Sequence, residues 1–414
     1  MSIRSMNIGT RVRIPEAARL SFFWFGIQVV WGAVLGVLLQ VRLVSIFGGD
    51  AAQKYALFAA AGAAAAILAQ LLSATLSDRA VARERSRAPL YLVGTIVSVG
   101  AIVAFLSVGS AIALFAAYLA LQIGMNIAVA PYQAAVPEYL QREHQRAGSA
   151  WLAAMQSLGN AVGAVIAALL SLPLTAAVVP ALLLGSFLLG YRSLARVVVA
   201  PVVDEGTPKK LTRAHVDLFG SRAMIFLAFY TMLGYLYFWV LGSGFAGFAA
   251  PRTVAGAAIV VFTLTGIAGA LLAARLGVRF ELRATAILGI AAFAVATALY
   301  ASAGGLTVLS IASIVGGLGW GAFLSADWAL GARYVLPGAR ALGFALWNLA
   351  VVLPQFFAPS IIGVLATFLR PVGPSATSHF AFGIAFLELI VGMLWLVRLP
   401  KSEGAMELRV LERR

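Results

Sequence analysis

Asp327 stands beside Trp328 inside a long apolar run, and Glu388 stands in the middle of another. A charge held at bilayer depth costs about 2.5–3.5 kcal/mol on insertion scales, so such residues are usually paired or functional. Asp327 fits either of two chemistries. It can bind a solute or a coupling proton, or it can form a clamp with Arg275, Arg333 or Arg340. Glu138 lies at the end of an apolar run, within reach of Arg142 or Arg79, and reads as a structural ion pair. Glu388 reads as a lipid-adjacent, protonated or helix-paired acid. Arg42 either snorkels to an interface or meets an anionic solute.

A second set of residues is polar but uncharged. Gln28 and Trp31 share a helix face at i, i+3, and Gln156 and Asn160 share one at i, i+4. Asn126, Tyr132, Gln133, Asn348 and Gln355 also fall within apolar runs. Amides hydrogen-bond hydroxyl groups and indoles cover C–H faces, so this set suits a hydroxyl-rich solute. The competing role is hydrogen bonding between helices, worth about 0.6 kcal/mol on average. Pro354 and Pro359 are expected to interrupt their helix, because proline removes an amide donor. Gly159 and Gly163 form a small-xxx-small pair suited to close helix packing.

Other chemistries lack their residues. The chain has no cysteine, so disulfides and thiolate chemistry are excluded. Its three histidines form no cluster with carboxylates. Neither a P-loop, a nucleophile elbow nor a dinucleotide turn stands in a usable context. The chain is expected not to be an enzyme and to need no metal or cofactor.

These polar residues must be carried by membrane helices. The 414 residues are 62% hydrophobic and 11% charged, against about 25% charged in soluble domains. A bilayer core of about 30 Å takes roughly 20 apolar residues of helix. Twelve spans are predicted at 20–46, 55–76, 89–108, 111–136, 147–171, 174–192, 222–246, 253–273, 283–302, 306–332, 341–369 and 378–398. Tight hairpins are expected at Gly109, Pro173 and Gly304–Gly305. The first apolar run is too long for a signal peptide and is expected to be retained.

The net charge of +15 does not imply a nucleic-acid partner, because its placement is one-sided. The odd-numbered loops hold only Arg42, Lys54, Arg252 and Arg370 of the 30 Lys/Arg; the termini and even-numbered loops hold the other 26. This positive-inside pattern predicts a multi-pass protein with both termini cytoplasmic and its basic face on anionic lipid; the Ala/Gly-rich, Cys-free composition suits a bacterial plasma membrane.

The two ends of the chain repeat one another at a shift of 195–196 residues. Arg79 falls on Arg275, Gly94 on Gly289, Gly124 on Gly319, Glu138-Tyr139 on Arg333-Tyr334, and Gly148 on Gly343, shortly after Arg146 and Arg340. The repeat mate of Asp327 is Tyr132. An all-α protein of two six-helix halves follows: 1–192, a cytoplasmic linker 193–221, and 222–414, related by an axis along the membrane normal.

The loop after span 2 reads Ala74-Thr75-Leu76-Ser77-Asp78-Arg79, then Arg83, Arg85 and Arg87. This resembles the loop motif of the major facilitator superfamily, with Ala74 near the place of the family's glycine. Two stretches, Asn126…Pro131-Tyr132-Gln133-Ala134…Pro137-Glu138 and Asp327-Trp328-Ala329-Leu330…Leu353-Pro354-Gln355, look like the sucrose-transporter-like and glycoside-cation symporter branches. The resemblance covers most of the chain. It implies a secondary transporter that works by alternating access, as a monomer, on a small-molecule solute. A sugar or glycoside is the first choice, coupled to a proton or other cation. It also implies a gate built from Asp78, Arg79, Glu138, Arg146, Arg275, Arg333 and Arg340. Ala274 stands where an acid would precede Arg275, so that gate is lopsided. An efflux carrier for hydrophobic compounds and a non-transporting assembly factor of the same fold are the alternatives.

Overall fold

A computed structural model describes residues 14–139, 145–195, 213–243, 249–276, 281–302, 304–334, 340–369 and 374–399. Within a bilayer each backbone N–H must be satisfied inside its own segment, and apolar runs of this length therefore become helices. The first is continuous but not uniform: α1 (Ile14–Ala33), a π-turn (Val34–Leu38) and α2 (Leu39–Phe47). Gly48, at φ +54°, then reverses the chain into α3 (Ala51–Ala82), bringing Phe58 edge-on against Phe47. There follow α4 (Ala88–Ser107), α5 (Ala111–Tyr139), α6 (Gln145–Leu169) and α7 (Leu172–Ala195). The second set is α8 (Arg213–Gly242), α9 (Pro251–Leu276), α10 (Leu282–Ser302), α11 (Leu306–Tyr334), α12 (Arg340–Leu369) and α13 (Pro374–Val397).

Among the described residues, nine stretches are long and apolar enough to cross a bilayer, the first of them, Arg19–Val81, holding both α1–α2 and α3. Met155–Leu169 and Leu349–Leu365 are apolar stretches within the longer helices α6 and α12. Leucines and valines such as Leu68, Leu188, Leu271 and Val364 are exposed on the outside of the bundle, where lipid replaces water.

The two sets pack alike. In the first, α1 packs on α6 and α7, α5 on α3 and α4, and α4 on α7. In the second, α8 packs on α12 and α13, α11 on α9 and α10, and α10 on α13. One crossing recurs at the shift read from the sequence. A side chain on Gly94 would strike the backbone of Gly124 and Ala128, and one on Gly289 the backbone of Gly319 and Phe323. The halves meet through α3 on α12 and α6 on α9, a symmetric exchange of elements.

Several boundaries differ from expectation. Asp78 and Arg79 lie in the last turns of α3, not in a loop, because the helix runs on to Ala82. Residues 213–221, expected in the linker, form the first turns of α8, where Arg213 pairs with Asp217 at 4.0 Å. Pro354 and Pro359 do not interrupt α12; they are carried inside one continuous helix. Gly159 and Gly163 press against the backbone of α1 at Phe25 and Val29, the close packing their spacing suggests.

Candidate functional site

The polar residues within the helices gather into a network in each half. In the first half, Trp24 stacks on Tyr132 (centroids 5.5 Å apart, 7° between planes) and donates its indole N–H to Gln156 Oε1 at 3.4 Å. Tyr132 donates its hydroxyl to the Leu20 carbonyl at 3.0 Å, joining α5 to α1. Gln28 is buried where α6 crosses α1, its Cβ facing Gly159. Trp31 and Asn160 are half-buried on the same two helices. Gln70 of α3 donates to Gln133 of α5 at 3.2 Å, while Asn126 is turned back on its own helix and donates to the Gln122 carbonyl at 2.8 Å.

The second half carries the charge. Asp327, buried in α11, forms an ion pair with Arg222 of α8. The guanidinium carbon of Arg222 lies 3.9 Å from the Trp347 ring centroid and 4.8 Å from that of Phe226. A planar, weakly hydrated cation suits such a place better than an ammonium. Beside it, Trp320 of α11 stacks on Phe229 of α8, with centroids 4.2 Å apart and 6° between planes. Gln355 of α12 donates to the Tyr230 hydroxyl at 2.7 Å. Asp327 and its repeat mate Tyr132 thus both tie the fourth helix of a half to its first, one through an ion pair and the other through a neutral hydrogen bond.

Sequence reasoning missed Arg222, Trp24, Gln70, Tyr230, Trp320 and Trp347. Arg222 stands at the end of a basic stretch that reads as a loop, yet it falls in helical phase with Phe226 and Phe229. The ion pair that the structure gives Asp327 is with Arg222 rather than with the arginines expected from proximity. Arg275 is exposed at the end of α9, and the side chains of Arg333 and Arg340 lie outside the described residues, as do those of Trp328, Asn348, Glu138 and Arg146. Asp78 and Arg79 are exposed on the even-loop face.

Arg42 does not snorkel to an interface. It is buried, and its guanidinium caps the end of α4 by donating to the Phe105 and Val108 carbonyls. Arg252 does the same across the halves, donating to the Leu170 carbonyl at the end of α6 at 2.7 Å. Cations are favoured at helix C-termini, where carbonyls lack amide partners. Glu388 is helix-paired: it accepts from Thr231 of α8 at 3.5 Å.

The side-chain contacts between the halves, among the described residues, lie toward the odd-loop face. Besides Arg252, Thr253 donates to the Ala168 carbonyl at 3.3 Å, Tyr55 packs edge-on against Tyr235, and Gly363 faces Ala56. The structure is therefore closed at that face.

No protein-family model matches the chain, and neither does any curated protein. Solved structures do match over nearly its whole length. The peptide transporter POT superposes with a TM-score of 0.70 at 13% identity, covering 94% of this chain and 95% of that one. The nucleoside transporter NupG gives 0.68 at 14%, covering 93% and 98%. A bacterial homolog of the human lysosomal transporter Spinster, inward-facing and occupied, gives 0.67 at 13%, covering 93% and 95%. The fold is that of the major facilitator transporters, an all-α membrane architecture of two pseudo-symmetric halves.

Proposed function

We propose that the chain is a secondary transporter working by alternating access, with a hydroxyl-rich solute, a sugar or glycoside, as its cargo and a proton or other cation as its driving partner. The observation that carries this reading is the buried Arg222–Asp327 pair, held between two helices of one half and replaced by a neutral bond in the other. A buried ion pair is weak evidence for stability, since an apolar pair is often as stable; its presence at span depth favours use. The amides and aromatic rings of both halves, Trp24 with Gln156 and Tyr230 with Gln355, supply polar groups and flat faces for a solute with hydroxyl groups. With the termini cytoplasmic, as the positive-inside pattern predicts, the odd-loop face lies outside and the closed seam corresponds to an inward-facing arrangement. The chain divides into its halves between α7 and α8. Asp78 and Arg79 of α3 and Arg340 at the start of α12 form the opposing gate, which closes when the odd-loop face opens.

The test is counterflow in proteoliposomes across a panel of sugars and glycosides, followed by uphill uptake driven by an imposed proton or sodium gradient. Exchange of at least one member of the panel is expected. If Asp327 receives the coupling proton, Asp327→Asn abolishes uphill accumulation and spares counterflow, because exchange needs no net proton movement. Since that change leaves Arg222 without its partner, Arg222→Gln/Asp327→Asn is measured beside it. Intact uphill transport in Asp327→Asn eliminates the proton role, and no exchange across the panel eliminates the sugar assignment.

A further inference from the structure

The seam between the halves contains buried polar atoms that have no hydrogen-bond partner among the described residues. The π-turn at Val34–Leu38 inserts an extra residue into the first span, and such turns often accompany functional positions. Just beyond it, Gln40 is fully buried. Its Nε2 donates to Leu35 O in its own span at 2.9 Å and reaches Gly234 O of α8, in the other half, at 3.5 Å. Gln40 Oε1 has no partner among the described residues. Neither has the hydroxyl of Tyr235, which is fully buried against Tyr55 and Phe238 in the same seam. An unsatisfied buried donor or acceptor costs free energy that hydration would return.

We infer that Tyr235 sets the balance of the gate: its hydroxyl, stripped of partners when the odd-loop face closes and hydrated when it opens, opposes closure. This rests on the alternating-access reading. The bonds from Arg252, Thr253 and Gln40 across the seam favour the closed state, and an unsatisfied hydroxyl there works against them. The adjacent residue acts through sterics in the same direction if enlarged. Gly234 faces the Tyr55 ring across the seam, and a Cβ there would overlap its Cε1, Cζ and hydroxyl. Neighbouring positions are thus predicted to respond with opposite signs, Tyr235→Phe favouring closure and Gly234→Ala favouring opening. A general loss of packing would not separate them.

The chain has no cysteine, so two spin labels can be placed without further changes. Gly109→Cys, with open space around it, and Thr307→Cys, exposed at the start of α11, lie on the odd-loop face of opposite halves. Pulsed electron–electron resonance in lipid nanodiscs reports a short distance for the closed face and a long one for the open face. Tyr235→Phe is expected to lower the open-to-closed ratio by about tenfold, the factor that corresponds to one unsatisfied buried hydroxyl. Gly234→Ala is expected to raise it. Tyr300→Phe serves as the control, because the Tyr300 hydroxyl is bonded to Ser313 Oγ at 2.9 Å inside one half, and it should leave the ratio unchanged. An unchanged or higher open population in Tyr235→Phe overturns the inference while leaving alternating access intact. A single distance in the parent and in Gly234→Ala alike overturns alternating access itself.

Discussion

At the scale of the residue, the Arg222–Asp327 pair has the sharpest energetic consequence. Removing one partner leaves an uncompensated buried charge, which costs about 3–5 kcal/mol, whereas replacing both by apolar groups of similar volume is often neutral. Arg222→Met alone should therefore lower the thermal unfolding midpoint, and Arg222→Met/Asp327→Leu should recover most of the loss. A double variant no more stable than the single would show that the pair's surroundings, not the charge, set the cost. Arg222→Lys should restore little, because an ammonium cannot lie flat on Trp347 while facing the carboxylate. The seam residues Gln40 and Tyr235 belong to this scale too: their polar atoms matter through what closure denies them.

At the scale of the element, the two glycine crossings are the best measure of internal repetition. Gly94 and Gly289 let α4 meet α5, and α10 meet α11, backbone to backbone. Small-to-large changes in such a contact typically cost about 1–3 kcal/mol. Gly94→Val and Gly289→Val should destabilise by similar amounts, read from thermal unfolding in detergent. Gly100→Ala and Gly185→Ala, where a side chain meets open space, should be neutral or stabilising by up to about 1 kcal/mol through helix propensity. A large difference between Gly94→Val and Gly289→Val would mean that the halves resemble each other in outline but not in packing. At the end of α6, Arg252→Ala should expose the Leu170 carbonyl and speed amide exchange over the last turn of that helix and the first of α9.

At the scale of the whole molecule, the closed odd-loop face and the exposed Asp78 describe one end of a proposed cycle. If the opposite end exists, opening the odd-loop face brings the end of α3 toward the start of α12. Asp78→Cys with Ala341→Cys should then cross-link under mild oxidation, and more so when Gly234→Ala holds the odd-loop face open. Equal cross-linking with and without that change would detach Asp78 from the gate. The same geometry predicts that Asp78→Asn, by weakening the even-loop closure, raises the share of molecules closed at the odd-loop face in the spin-label measurement.

The amino-acid sequence by itself determined the helices, because a bilayer converts apolar length into span length and leaves little else for a backbone to do. It also determined the repeat, whose glycines at a common shift mark equivalent crossings, and the resemblance that pointed to the fold. Charge placement predicted an orientation by the same local logic. The tertiary structure decided the partners. Asp327 chose Arg222 over three arginines nearer in the chain because α8 and α11 lie together, a fact that no local spacing contains. Arg42 became a helix cap because the end of α4 arrives beside it, and Arg252 became a bond between halves for the same reason. Pro354 and Pro359 are carried inside one helix that packs against α3, α8 and α13, the buried setting in which a bilayer span tolerates proline. The seam around Gln40, Tyr55 and Tyr235 has no signature in any single stretch, since it exists only where the two halves meet.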